Sequence, residues 1–253
     1  MRFPSLGGGN RNETGAVALL TVYGRMPVLE ALLDPSVEVE RVLLARSARG
    51  ESVDELVAAA RAQGVVVTRV APEKVTRVSG NGRHDQGVVA EVVAAGVGSL
   101  DAWLTTAPST VSLLLLDGVT NPGNVGMIIR TCVAAGLSGV VLPRAGSPDV
   151  GPLVVKASAG VAFRATVLEA ATASSAVASL RAAGVAVLGL AGDGSSLFSA
   201  ELPERAAFVL GNETSGLSVD VDRRLSIPMS GGVDSLNVAV AAGIVAFEVA
   251  RRR

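Results

Sequence analysis

The stretch Ser226-Ile-Pro-Met-Ser-Gly-Gly-Val-Asp-Ser-Leu-Asn-Val-Ala-Val-Ala-Ala-Gly-Ile-Val-Ala-Phe-Glu248 decides the fold. Its first part ends a strand, because Arg224-Leu225-Ser226-Ile227 runs into Pro228, which has no N–H for a ladder. Gly231 and Gly232 free the backbone to turn, and Asp234 or Ser235 is placed to cap a helix from about Leu236 to Arg251. That helix is apolar nearly all round and carries small residues at Ala239, Ala242, Gly243, Ala246 and Ala250, so it reads as a buried helix that a neighbour approaches closely. Asn237 is the polar exception in its first turn. It is either a local cap or a group aimed into the space lined by the free backbone of the turn.

Working outward, composition narrows the classes. A formal charge of −1 over 253 residues argues against a globally basic nucleic-acid binder, so contact with RNA would need a local patch. Lys74 and Lys156 are the only lysines; the Arg excess suits phosphate forks, although coding bias explains it as well. One cysteine, Cys132, and one histidine, His84, leave no disulfide and no zinc cluster, so no metal is expected. Residues 1–14 lack an apolar signal-peptide core, and no apolar run reaches membrane-spanning length, so a soluble cytoplasmic protein is expected.

Residues 1–14 read as a flexible arm. Residues 15–95 read as a small α/β domain, with helices near 27–33, 52–63 and 72–78, strands at 40–45, 64–70 and 88–93, and a polar loop from Ser79 to Gly87. Residues 96–110, opening with Gly96-Val97-Gly98-Ser99, read as a linker. From Val111 the pattern alternates β and α to the C-terminus, which implies a mostly parallel sheet with helices on both faces.

Two further stretches join buried strands to turns. In Asp117-Gly-Val-Thr-Asn-Pro-Gly-Asn124-Val-Gly-Met-Ile-Ile-Arg130-Thr131, Asn124 sits at or near an N-cap. Arg130, a permanent charge in an apolar run, requires an anion or an open cleft. In Phe208-Val-Leu-Gly211-Asn-Glu213-Thr-Ser-Gly216-Leu217, a strand ends in glycine and then a carboxylate, at the sheet edge where α/β ligand sites form. Neither a G-x-G-x-x-G nor a phosphate-binding P-loop is present. A site built from backbone turns, Asn, Glu, Ser and one Arg suits a charged small cofactor and a single group transfer.

Together these three stretches resemble the motifs of the SpoU/TrmH family of RNA ribose 2′-O-methyltransferases in the SPOUT superfamily. Asn124-x5-Arg130-Thr131 is similar to the first motif and Leu210-Gly211-Asn212-Glu213-x-x-Gly216-Leu217 to the second. Ile227-Pro228-Met229 with Ser235-Leu236-Asn237-Val238 is similar to the third. Tyr23-Gly24 and His84-Asp85-Gln86-Gly87 resemble the small substrate-recognition domain of ribosomal-RNA members, with two departures: Asp85 intervenes between His and Gln, and Thr214 stands where many members have Gly.

The resemblance implies a C-terminal trefoil knot in residues 111–253, a homodimer, and S-adenosylmethionine bound by Leu210, Gly211, Asn212, Ile227, Met229, Ser235, Leu236 and Asn237. It implies transfer of the sulfonium methyl to a ribose 2′-oxygen, which needs orientation of the reactants and charge stabilisation. Family accounts make the Arg matching Arg130 the proton acceptor; a guanidinium hardly deprotonates, so stabilising the forming alkoxide or gripping a phosphate suits Arg130 better. Asn124, Glu213, Ser235 and Asn237 would shape the site. Arg25, Arg46, Arg49 and Arg83 are the expected RNA contacts, with 23S ribosomal RNA the expected substrate. A transfer-RNA methyltransferase, a resistance enzyme and a catalytically silent RNA-binding protein stay open.

Overall fold

The computed structural model describes residues 18–35, 37–94 and 96–253. The expected N-terminal arm lies outside the described residues. Two compact units account for the chain: one takes the described residues up to 94 with 150–156, the other 96–149 and 157–253.

The first unit holds a four-stranded sheet in the order β1-β4-β2-β3, from β1 (Ala18–Tyr23), β2 (Val39–Ala45), β3 (Val66–Val70) and β4 (Val88–Ala94). Helices α1 (Arg25–Leu33), α2 (Glu51–Ala62) and α3 (Pro72–Ser79) connect these strands. Strand β1, antiparallel to β4 in the register Tyr23↔Val89, was not anticipated from the sequence. Its Ala-Leu-Leu-Thr-Val-Tyr run has a single polar residue and so no strict polar-apolar alternation to mark a half-buried strand. Because β1 and β2 both run antiparallel to β4, the ends of β1 and β2 and the start of β4 share one edge, which also carries the start of α1 and the 79–87 loop.

The second unit is a seven-stranded sheet, every pair parallel, in the order β11-β9-β10-β6-β7-β8-β5. Its strands are β5 (Val97–Ser99), β6 (Val111–Leu116), β7 (Gly139–Pro143), β8 (Val167–Ala170), β9 (Ala186–Ser196), β10 (Arg205–Leu210) and β11 (Arg223–Ser226). The helices are α4 (Leu100–Leu104), α5 (Pro122–Ala134), α7 (Ala173–Ala182) and α8 (Val238–Arg251); α6 (Pro152–Ala157) falls almost wholly in the segment grouped with the first unit. Strand β6 is buried at every position, as a central parallel strand covered on both faces must be. Leu113, Leu115, Val187 and Val209 pack with Ala176, Val177 and Leu180 of α7.

Three expectations need correction. The stretch 96–110 is no linker: Val97–Ser99 pairs with Val167–Glu169 at the sheet edge, and Leu100 at the start of α4 is fully buried in the core. Strand β9 runs on to Ser196, whereas the sequence predicts a strand only over 185–190, because β11 pairs along it with a register shift. Helix α8 is not buried all round. Ala242, Val245 and Ala246 are fully buried, whereas Val240 and Phe247 are more than half exposed. The small residues act inside the subunit, since a Cβ on Gly243 would lie 3.7 Å from the Thr131 methyl of α5. Among the described residues, no helix is long and apolar enough to cross a membrane.

Candidate active site

The three motifs meet at the carboxyl edge of the parallel sheet. Helix α5 is capped by Asn121, whose Oδ1 accepts from Gly123 N at 2.8 Å, with Pro122 at the first helical position. Asn124 is therefore not the cap. It is buried in the first turn, and this frees its amide for a longer-range role. Asn124 Nδ2 donates to Glu213 Oε1 at 2.6 Å, and Asn124 Oδ1 accepts from Asn237 Nδ2 at 3.2 Å. Asn237 in turn caps α8, its Oδ1 accepting from Ala239 N at 2.9 Å and Val240 N at 3.4 Å. The cap is thus Asn237, not Asp234 or Ser235, and the helix starts two residues later than the sequence suggests. The capping reading of Asn237 holds: its side-chain oxygen caps, while the amide nitrogen reaches across to the first motif rather than into the cleft.

These bonds form a one-way chain. Each donor points from the α8 N-terminus through Asn237 and Asn124 to Glu213, which receives the final N–H as a carboxylate does best. A parallel tie fixes the second motif. Buried Asp117, at the end of β6, accepts from Ser218 N at 2.5 Å and Ser218 Oγ at 2.6 Å. Asn212 closes the turn: its Nδ2 donates to Gly118 O at 2.9 Å, its Oδ1 accepts from Thr214 N at 2.9 Å, and its backbone pairs with Gly216 in both directions. A Cβ on Gly211 would stand 2.5 Å from the carbonyl of Gly216, so the turn needs glycine there. Thr214 sits at negative φ, so replacing the family's usual Gly costs no backbone strain.

Beside this chain lies a cleft of about 430 Å³, within the roughly 300–1,000 Å³ of small-molecule sites. Leu210, Gly211, Asn212, Glu213, Ser235 and Leu236 line it; Ile227 and Met229 line an adjoining recess with Ser235 and Leu236. Every residue expected to hold the cofactor except Asn237 is thus on these walls. The wall that sequence reasoning missed is Leu190-Ala191-Gly192. Its signal was weak, a Gly-rich continuation of a strand whose place beside β10 only the sheet order reveals. Apolar side chains with exposed turn backbone fit an adenosine-bearing sulfonium: Leu and Ile would hold its rings, and a Cβ at Gly192 would meet no atom within 4 Å, leaving that wall open.

Arg130 is not drawn into the chain. It is exposed on α5, one turn from exposed Met127, and has no hydrogen bond or ion pair among the described residues. Among the described residues it meets neither an anion nor a cleft wall; the charge sits on the exposed face of α5. Cys132 is inert, as burial pushes its thiol up to about 12. Among the described residues no group of three or more His, Cys, Asp or Glu could hold a metal ion.

The four arginines of the first unit divide. Arg25 is engaged internally: its backbone N–H donates to Gln86 Oε1 at 2.9 Å and its guanidinium to Ser52 Oγ at 2.9 Å. Arg49 folds back onto the carbonyls of Arg46 and Ala48. Arg46 and Arg83 are exposed, and among the described residues their side chains bond nothing. Asp85, the departure from the family's pattern, is buried and structural. It accepts from the Thr76 and Ser79 hydroxyls at 3.1 Å each and from Gly87 N at 2.9 Å.

A parallel α/β unit whose second and third motif turns line one cleft, with the first motif bonded to both through Asn124, defines the class, and the comparisons give the family. Residues 112–247 match the model of the SpoU rRNA Methylase family, and residues 21–96 match the RNA 2′-O ribose methyltransferase substrate-binding model. The chain belongs to the SpoU rRNA methylase family. It is 34% identical over 240 residues to a 23S rRNA (guanosine-2′-O-)-methyltransferase of Xanthomonas axonopodis, covering 92% of this chain and 96% of that one. Its structure is similar to the SpoU methyltransferase AviRb from Streptomyces viridochromogenes in complex with AdoMet (TM-score 0.70, 27% identity, 92% and 90% of the two chains). It is also similar to a protein described under 2-OH methylation of C/U34 on tRNA, but there the match covers 56% of this chain and 96% of the other (TM-score 0.50, 28% identity).

Proposed function

We propose that this protein methylates a ribose 2′-hydroxyl of 23S ribosomal RNA, using S-adenosylmethionine. The observation that carries the reading is the hydrogen-bonded chain Asn237–Asn124–Glu213, which ties all three motifs together at the rim of the cleft. Ribosomal RNA is favoured over transfer RNA because the likeness to the 23S enzyme spans 92% of the chain, whereas that to the tRNA protein spans little more than half.

Bound in the cleft, S-adenosylmethionine supplies a methyl group already activated on sulfonium. The chain's residues orient and stabilise. Turn backbone at 210–216 and side chains of Ile227, Met229 and Leu236 hold the cofactor; Ser235 and Glu213 face the ribose from the rim. Arg130 stabilises negative charge on the attacking oxygen or grips the neighbouring phosphate. The trefoil knot, a role of residues 15–95 in RNA recognition, and a cytoplasmic location belong to the same proposal. So does a homodimer, supported by the exposed apolar residues Met127 on α5 and Val240 and Phe247 on α8.

The test is transfer of labelled methyl to 23S rRNA, to total tRNA and to assembled subunits, by wild type and Arg130→Ala, followed by nuclease digestion. The expected product is a 2′-O-methylnucleoside in rRNA that the variant does not make. Labelling of tRNA alone would move the assignment, and cofactor binding without transfer to any RNA would leave a silent RNA-binding protein.

A further inference from the structure

The 79–87 loop of the first unit carries a device that neither the active site nor its arginines explain. Asn81 Nδ2 donates to the hydroxyl of Tyr23 at 2.9 Å, and Asn81 Oδ1 lies 3.0 Å from His84 Nδ1. With the amide nitrogen placed on Tyr23, the oxygen faces the ring and can only accept, an arrangement that puts a proton on Nδ1. In that tautomer Nε2 is the ring's acceptor, and the side chain is exposed.

The loop beneath is fixed: buried Asp85 gathers two hydroxyls and the Gly87 N–H, and Gln86, held at φ 52, receives the Arg25 N–H. A left-handed non-glycine residue persists only where its surroundings over-determine it. Exposed Arg83 adjoins His84, and exposed Arg46 follows β2 at the same edge, where the Ala45 N–H bonds the Gly87 carbonyl.

We propose that His84 is an RNA-reading residue, its ring locked by Asn81 and Tyr23 so that Nε2 accepts from an N–H or O–H donor of an unpaired nucleotide, while Arg46 and Arg83 hold the flanking phosphates. Resting on the ribosomal-RNA reading above, this divides the first unit's surface into one specifying residue and two positioning charges. Glu51, Asp54 and Glu73 in the first turns of α2 and α3 keep the edge from being a broad basic field. An imidazole acceptor with Arg46 and Arg83 at the same edge suits a nucleotide better than an acidic protein, which would offer carboxylates with nothing to donate.

His84 is the only histidine, so long-range ¹H–¹⁵N correlation in mildly alkaline buffer reads its tautomer from one signal set. The expected form is Nδ1–H in wild type, shifting toward Nε2–H in Tyr23→Phe and Asn81→Ala. Nε2–H in the wild type would overturn the lock. Binding is then measured to 23S rRNA transcript across a salt series. His84→Ala should lose roughly tenfold in affinity, the scale of one specific hydrogen bond, at unchanged salt slope, with His84→Gln recovering part because its amide oxygen can replace Nε2. Arg46→Ala and Arg83→Ala should each reduce the slope by about one. An unaltered affinity in His84→Ala, or a change confined to its salt slope, would overturn the proposal while wild-type binding and methyl transfer still stand. A wild type that neither binds nor methylates rRNA would remove the functional reading itself.

Discussion

Asn124 does the most with the fewest atoms: its amide nitrogen serves the second motif and its oxygen the third. Replacing it with Ala leaves Glu213 and Asn237 each short of a partner. Loss of a hydrogen bond to a charged group costs about 1.5–3 kcal/mol, and a catalytic geometry that loosens by an ångström can lose on the order of a hundredfold. Asn124→Ala should therefore lower the thermal midpoint and depress kcat for methyl transfer together. Arg130→Ala separates these effects. The side chain is exposed and unpartnered among the described residues, so stability should stay within about 0.5 kcal/mol while methyl transfer is lost; calorimetry beside a filter assay reads both. The sequence already singled out Asn124, Arg130, Glu213 and Asn237. It could not say that three of them bond one another and the fourth stands apart, because side-chain pairing across 89 and 113 residues is invisible to spacing.

At the scale of elements, the 211–216 turn and the end of α8 are the two places where one change should move a whole segment. In Gly211→Ala the new methyl meets the Gly216 carbonyl at 2.5 Å, so the turn must open. Overpacking of this kind costs about 1–3 kcal/mol, and calorimetric titration should show weaker S-adenosylmethionine binding. At the other end of α8, Glu248 is buried and accepts from Arg251 at 2.8 Å and Arg252 at 2.7 Å, while Arg252 also donates to Leu197 O at 2.7 Å. Hydrogen bonds from Arg251 and then Arg252 hold this carboxyl down at about 2, outweighing burial, against an ordinary 4.5. With the folded value the lower one, the clamp stabilises fully above the ordinary value and fades as pH falls from there toward 2. Wild type should therefore exceed Glu248→Gln in denaturant stability at neutral pH, with the gap closing only on acidification below the ordinary carboxylate range. A gap independent of pH down to that limit would show that Glu248 acts by packing alone.

For the whole molecule, a formal charge of −1 leaves RNA affinity to local groups, and the exposed stripe Val240 and Phe247 on α8 is where the proposed homodimer would form. Phe247→Glu adds charge to that stripe at a position already more than half exposed. Sedimentation should show a dimeric wild type and a monomeric variant with an unchanged thermal midpoint at low protein concentration; a variant that stays dimeric would place the interface elsewhere.

The sequence alone determined what is local or periodic: the alternation of strands and helices after Val111, the turns at Gly211 and Gly231-Gly232, and the three motifs with their polar residues. It missed β1 and β5, a six-residue and a three-residue segment that become strands only because β4 and β8 offer them a free edge. It placed Asn124 at a cap that Asn121 fills, since two Asn near one helix start satisfy the same rule until the backbone picks one. It made α8 wholly buried, because hydropathy records how apolar a face is and not whether anything covers it. The Leu190-Ala191-Gly192 wall and the Tyr23–Asn81–His84 lock were likewise decided by tertiary structure. Each depends on residues far apart in the chain arriving at one edge of a sheet, and strand order, which sets those meetings, is fixed by the summed burial of the whole core rather than by any one segment.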